Sequence, residues 1–209
     1  MNLLEIIESV TRKIAPGPAP SFNEAHVVKA LELIGDHGKI GRIRLSKELG
    51  LGEGATRTLL KHLRTEGITQ SSRSGISFSE EGQQLFSDLR SKLSEGAEVA
   101  RSSLTFGPFN IAVLVRDSAK AVGSGMEQRD IAIKSGASGA TTLVFSDNKL
   151  SLPAQEENLC ESMPELHKKL VSRFNPKEND VIIVGCGENK DIAEIGAKMA
   201  AIQLLKSKE

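Results

Sequence analysis

The chain has 209 residues, enough for two modest domains, and balances 27 basic side chains against 27 acidic ones. Zero net charge argues against a protein that coats nucleic acid over its whole surface, and seven Phe without Trp or Tyr argue against the aromatic platforms of single-strand and RNA binders. No apolar run approaches the ~18 residues of a membrane span, the start MNLLEIIESVTRK is too acidic for a signal peptide, and Cys160 and Cys186 share no C-x-x-C spacing, so a reducing cytoplasm and no membrane partner are expected.

Leu3, Ile6, Ile7, Val10 and Ile14 recur at helical spacing and predict an amphipathic helix over 2–14, stopped by the Pro-rich run 16–20. Its apolar stripe needs a cover, either its own domain or a two-fold partner. Ser21-Phe22-Asn23-Glu24 reads as a capping box opening a helix over 22–36, with Val27, Val28, Leu31 and Ile34 inward and His26 and His37 solvated. Ile40 to Ile43 is expected to add a short strand beside a later hairpin.

From Lys39 to Phe78 the pattern is a helix around Leu45, Ser46 and Leu49, a turn at Gly50 and Gly52, a second helix from Glu53 to Glu66, and two short strands flanking Ser71 to Gly75. The second helix places Leu59, Leu60 and Leu63 inward, and Gly67 ends it. Ser79 is placed to cap a further helix through Leu85, Leu89 and Leu93. Between Lys39 and Arg73 stand eight basic and three acidic residues, so a local surplus of five positive charges sits on a neutral chain. Such a patch suits phosphate contact confined to one module.

Helix, turn, helix and basic hairpin, followed by the Ser79-Glu80-Glu81-Gly82 helix opening, resemble a winged helix-turn-helix transcriptional regulator over roughly 21–93. The resemblance implies double-stranded DNA as partner, with the first turn of the second helix meeting base edges. On that basis Thr56, Arg57 and Lys61 face the groove. Arg57 is suited to a two-point bond with guanine, Lys61 and Arg64 to phosphates, and Arg73 to the wing tip's contact with backbone or minor groove. Arg44 and Lys47 complete the candidate surface.

Small residues from Gly96 to Ser103 mark a boundary, and strands then alternate with helices: Ile111–Val115, a helix over 126–134, a small-residue loop over 135–142, strands at 143–145 and 150–152, a helix over 164–174, a strand over 180–185 and a helix over 189–206. The expected fold class is α/β, or α+β overall. The expected division is an N-terminal helix and Pro-rich linker (1–20), a winged helix-turn-helix (21–95), a linker (96–108) and a small α/β sandwich (109–209).

In this second domain the glycine-rich turns around the helix over 126–134 let a backbone approach a ligand closely. Gln128, Arg129, Lys134, Gly136, Gly139, Thr141 and Thr142 are the candidate residues for a small anionic effector, against the plainer reading that such loops only pack helices on a sheet. Val184-Gly185-Cys186-Gly187 looks like the strand end of methyltransferases that use S-adenosylmethionine, but too few residues follow it, and the third glycine of a dinucleotide fingerprint is replaced by Lys190. A tight strand–helix turn is expected there instead, with Cys186 a buried small residue or, near a helix N-terminus, an oxidant sensor. His167 is read as solvated, no nucleophile has a partnered base, and no ligand cluster has metal spacing. No cofactor and no enzymatic activity are expected.

The stretch QRDIAIKSGASGATTLVF is similar to an uncharacterised archaeal family that joins a winged helix to an α/β domain; the likeness brings no known activity. The combined expectation is a cytoplasmic, homodimeric transcriptional regulator whose α/β domain senses a ligand or mediates dimerisation. A metabolic enzyme carrying the winged helix as a regulatory module, and a protein–protein adaptor, remain the alternatives.

Overall fold

Five apolar residues on one stripe bury α1 (Leu3–Thr11): Leu3, Leu4, Ile6, Ile7 and Val10 all lie inside, and the Asn2 side chain accepts from the Leu4 N–H to cap the first turn. This computed structural model describes residues 2–12, 20–153 and 157–208, so Ile14 and most of the Pro-rich run lie outside the described residues. The described chain divides into two compact units, Met1–Arg90 and Ser91–Glu209, and contains mixed helix and antiparallel sheet.

In the first unit α1 packs on α2 (Glu24–His37) and α4 (Glu53–Thr65), so its own domain covers the apolar stripe. Two polar contacts fix the packing: the buried His62 ring bonds the Val10 carbonyl at 2.7 Å, and Ser9 donates to Glu66. The capping box of α2 is built two residues later than the sequence suggested, on Asn23 rather than Ser21. Asn23 accepts from the His26 N–H while the His26 ring reaches back to the Asn23 N–H, so His26 is a half-buried cap partner rather than a solvated side chain. His37 stands 3.6 Å from Glu48.

Helix α3 (Arg42–Leu49) begins where a strand was expected, and only Ile40 pairs with the hairpin, exchanging two backbone bonds with Ile76. Gly50 closes α3 in the left-handed conformation, which glycine adopts without a Cβ penalty. After α4, β1 (Thr69–Ser72) and β2 (Gly75–Phe78) form a two-stranded hairpin with Arg73 and Ser74 at its tip. Ser79 accepts from the Gly82 N–H and opens α5 (Glu80–Lys92), in whose last turn the second unit starts. The first unit thus combines five helices with one antiparallel hairpin among the described residues.

The second unit is built on one six-stranded sheet in the order β3-β4-β8-β5-β6-β7, antiparallel throughout. Its strands are β3 (Ala97–Glu98), β4 (Phe109–Val115), β5 (Gly139–Ser146), β6 (Lys149–Leu152), β7 (Glu157–Asn158) and β8 (Val181–Gly187). Ala97–Glu98, read from sequence as linker, is therefore the edge strand beside β4. Strand β8 lies between β4 and β5, so those two run the same way without touching. The intervening helices are α6 (Met126–Lys134), α7 (Leu159–Ser162), α8 (Pro164–Phe174) and α9 (Lys190–Lys208), with a short 3-10 turn at Ala119–Ala121.

Side-chain alternation assigns the helices to opposite faces. Leu114, Leu143, Phe145, Ile182 and Val184 pack with Leu170 and Phe174 of α8 on one face. Helices α6 and α9 cover the other. There a Cβ on Gly185 would lie 2.3 Å from the Ala193 carbonyl oxygen and 2.6 Å from the Ala197 nitrogen. The Gly185-Cys186-Gly187 run is thus strand rather than turn, and its glycine admits the backbone of α9.

Candidate nucleic-acid interface and a second pocket

Helix α4 sorts its residues by period. Thr56, Leu59, His62 and Leu63 are buried, while Arg57, Lys61 and Arg64 recur three and four residues apart on the opposite side. The hairpin faces that basic side. Its position is set at Gly75, where a Cβ would come 2.8 Å from the Ile40 carbonyl oxygen, so glycine permits the strand to bond against the chain entering α3. Ser72 holds the tip by accepting from the Ser74 N–H and donating to the Gly75 carbonyl.

Between α4 and the hairpin lies a groove of about 570 Å³, bordered by Arg42, Arg57, Lys61, Arg64 and Arg73 and, among the described residues, lined by no acidic one. Among the described residues none of these five side chains has an ion-pair or hydrogen-bond partner. The N-terminus of α3 opens at the same groove, with Gly41 offering no side-chain cap to its first-turn N–H groups. Such donors suit anionic oxygens. The groove can therefore receive a chain of phosphates along α4 with the wing tip beside it.

Arg57, Lys61, Arg64 and Arg73, proposed from sequence, are brought together here; Thr56 is not. It is completely buried, and its hydroxyl donates to the Gly52 carbonyl at 3.2 Å, so it belongs to the core. Arg44 and Lys47 are exposed on α3 but do not line the groove. Arg44 is held by Glu48 at 2.6 Å, and that bond, with His37 nearby, draws the Glu48 carboxyl below its ordinary range. Arg42 joins the site in their place. Its signal was Gly41, which starts the helix early enough to turn Arg42 toward the hairpin.

The glycine-rich segment of the second unit is only partly a loop. Gly139 to Thr142 lie in β5, where Thr141 donates to the Leu104 carbonyl at 2.6 Å and Thr142 is buried with its hydroxyl unbonded. Arg129, Thr141 and Thr142 border a second pocket, of about 440 Å³, together with Phe106, Gly125 and Met126. Gln128 is buried behind this region with an unbonded carbonyl oxygen, whereas Lys134 and Gly136 are exposed and away from the pocket, and Gly139 does not line it. Sequence could not find Phe106, because an isolated Phe before Gly-Pro reads as a linker residue.

Cys186 is buried in β8, and loss of water around it raises its thiol above the ordinary range despite two backbone N–H groups that pull the other way. Thiolate chemistry is thereby suppressed, which corrects the oxidant-sensor reading. His167 is half-buried, with Nε2 shielded and unbonded, rather than solvated. Among the described residues no group of three or more His, Cys, Asp or Glu is arranged to hold a metal ion, and no helix is long and apolar enough to cross a membrane.

Residues 106–204, most of the α/β unit, match the model of a domain of unknown function (DUF4443). No curated protein matches the chain. Among solved structures the chain is similar to a hypothetical protein from Pyrococcus horikoshii OT3, at 29% identity and a TM-score of 0.72, over 89% of this chain and 94% of that one. The likeness extends across both units and carries the fold into an archaeal protein.

Proposed function

We propose that the chain is a transcriptional regulator that binds double-stranded DNA through the first unit, while the α/β unit senses a small anionic effector or mediates dimerisation. One observation carries the reading: five cations without carboxylate partners border a single groove between α4 and the hairpin. An isolated excess of this kind on a neutral chain repels nothing else nearby and attracts a polyanion over about a Debye length, ~8–10 Å at ordinary salt.

In the complex, α4 enters the major groove with Arg57 toward the base edges. Lys61, Arg64 and the first turn of α3 hold phosphates, and Arg73 follows the backbone at the wing. A homodimer would place two such helices about one DNA turn apart, ~34 Å. The test is the anisotropy of a fluorescently labelled random duplex titrated with the full chain at low and at physiological salt. Affinity should fall steeply with salt, with about one unit of log–log slope for each phosphate neutralised. Absence of binding at low salt would overturn the reading.

A further inference from the structure

We infer that the pocket of the α/β unit is a binding site for a small monocarboxylate with an apolar tail or ring. The inference rests on the effector-sensing half of the function proposed above and on nothing in its DNA-binding half.

Three observations converge. The pocket opens at the N-terminus of α6, a nine-residue helix whose N-cap is Gly125, at φ +81°, with no side chain capping the first-turn N–H groups. Beside that terminus stands Thr142, 3% exposed and with no partner for its hydroxyl; a Cβ on Gly125 would lie 3.5 Å from Thr142 Oγ1. Arg129, one helical turn on, lines the same pocket with Nε buried and unbonded, while its Nη2 reaches Asp130 at 3.4 Å. Three kinds of donor therefore border one pocket, and among the described residues no carboxylate lines it.

The ligand class follows from charge and wall. A single guanidinium, already shared with Asp130, balances one negative charge better than the two of a phosphate monoester. A carboxylate suits a guanidinium, whose planar fork of donors matches its two oxygens. Beside the hydroxyls of Ser103, Ser124 and Thr141 much of the wall is apolar: Leu104, Leu152 and Met163 are half-buried, and Phe106 and Met126 remain 60% and 46% exposed. Large apolar side chains held in water beside a cationic end match a ligand with a charged head and a hydrophobic body. At about 440 Å³ the cavity has the size of a metabolite site.

The molecule carries its own reporters. Of the four methionines, Met126 and Met163 line the pocket and Met199 on α9 does not. Methyl-labelled full-length chain is titrated with hexanoate, hexanamide and hexyl phosphate and followed by methyl NMR. Hexanoate should shift Met126 and Met163 saturably and leave Met199 in place, and hexanamide should bind about tenfold more weakly or worse. Arg129→Gln should weaken hexanoate about tenfold, and the near-isosteric Thr142→Val about threefold, with the folded spectrum retained.

Equal response to acid and amide, unchanged affinity in R129Q, or no shift with any probe would overturn the inference. Tighter binding of hexyl phosphate would overturn the carboxylate assignment. Duplex anisotropy read on the same samples separates the two failures: DNA binding without a hexanoate response sinks only the pocket, and the reverse sinks only the DNA reading.

Discussion

Arg57, Lys61 and Arg64 stand in water without carboxylate partners, whereas Thr142 Oγ1 and Arg129 Nε lack partners inside the second unit, where water does not reach them. The two situations differ in energy. An exposed cation keeps its hydration and costs the fold almost nothing, so it is free to meet a partner that arrives from outside. A buried polar atom without a bond costs about 1–3 kcal/mol, a cost that a ligand seated against it offsets. The first pattern fits a long polyanion and the second a small ligand.

The sharpest way to break this comparison is to remove a cation from each unit. Lys198 on α9 is completely buried and bonded to Glu194 at 2.5 Å. Lys198→Ala should lower the unfolding free energy in urea by about 2–4 kcal/mol, toward the low side for a buried pair because Glu194 reaches solvent, while Lys198→Met should recover most of it. In the first unit, Arg57→Ala with Lys61→Ala should leave the urea midpoint unchanged and cost about 2–4 kcal/mol in duplex affinity, a factor of thirty or more. Unchanged duplex binding would remove α4 as the recognition face.

Two buried threonines give a finer contrast. Thr56 in the first unit bonds the Gly52 carbonyl, and Thr142 in the second bonds nothing. Thr56→Val should destabilise by about 1 kcal/mol, whereas Thr142→Val should be neutral or slightly stabilising in the absence of ligand, because it removes an unsatisfied group. Equal losses would mean that Thr142 has a partner after all.

The smallest effect concerns Glu48. The Arg44 bond first, then the charges of Arg44 and His37, lower its folded pKa below the ordinary 4.5. A depressed carboxyl stabilises the fold above the unfolded pKa and loses that contribution as pH falls through the folded one. Since Arg44 is 62% exposed, Glu48→Gln should cost only a few tenths of a kcal/mol at pH 7, and the difference should vanish in acid, as parallel urea titrations would show.

Much of the basic groove is legible in the sequence because α4 is local: Arg57, Lys61 and Arg64 share a face through helical period alone, and Gly75 marks the hairpin. The misplacement of Thr56 came from the same period, since the first turn of a helix has an inner side as well as an outer one. The ligand pocket is less legible. Arg129 and Thr142 could be named, but their meeting with Phe106, Leu104 and Met163 depends on β5 lying beside the chain that enters β4 and on the helices laid across the sheet.

The sequence by itself determined most of the local elements and the basic character of one segment, because period and capping act over a few residues. Tertiary structure decided that His62 would bond the first helix, that 97–98 would become an edge strand, and that β8 would come between β4 and β5 to make the whole sheet antiparallel. Strand pairing joins residues far apart along the chain, and no local preference selects one distant partner over another.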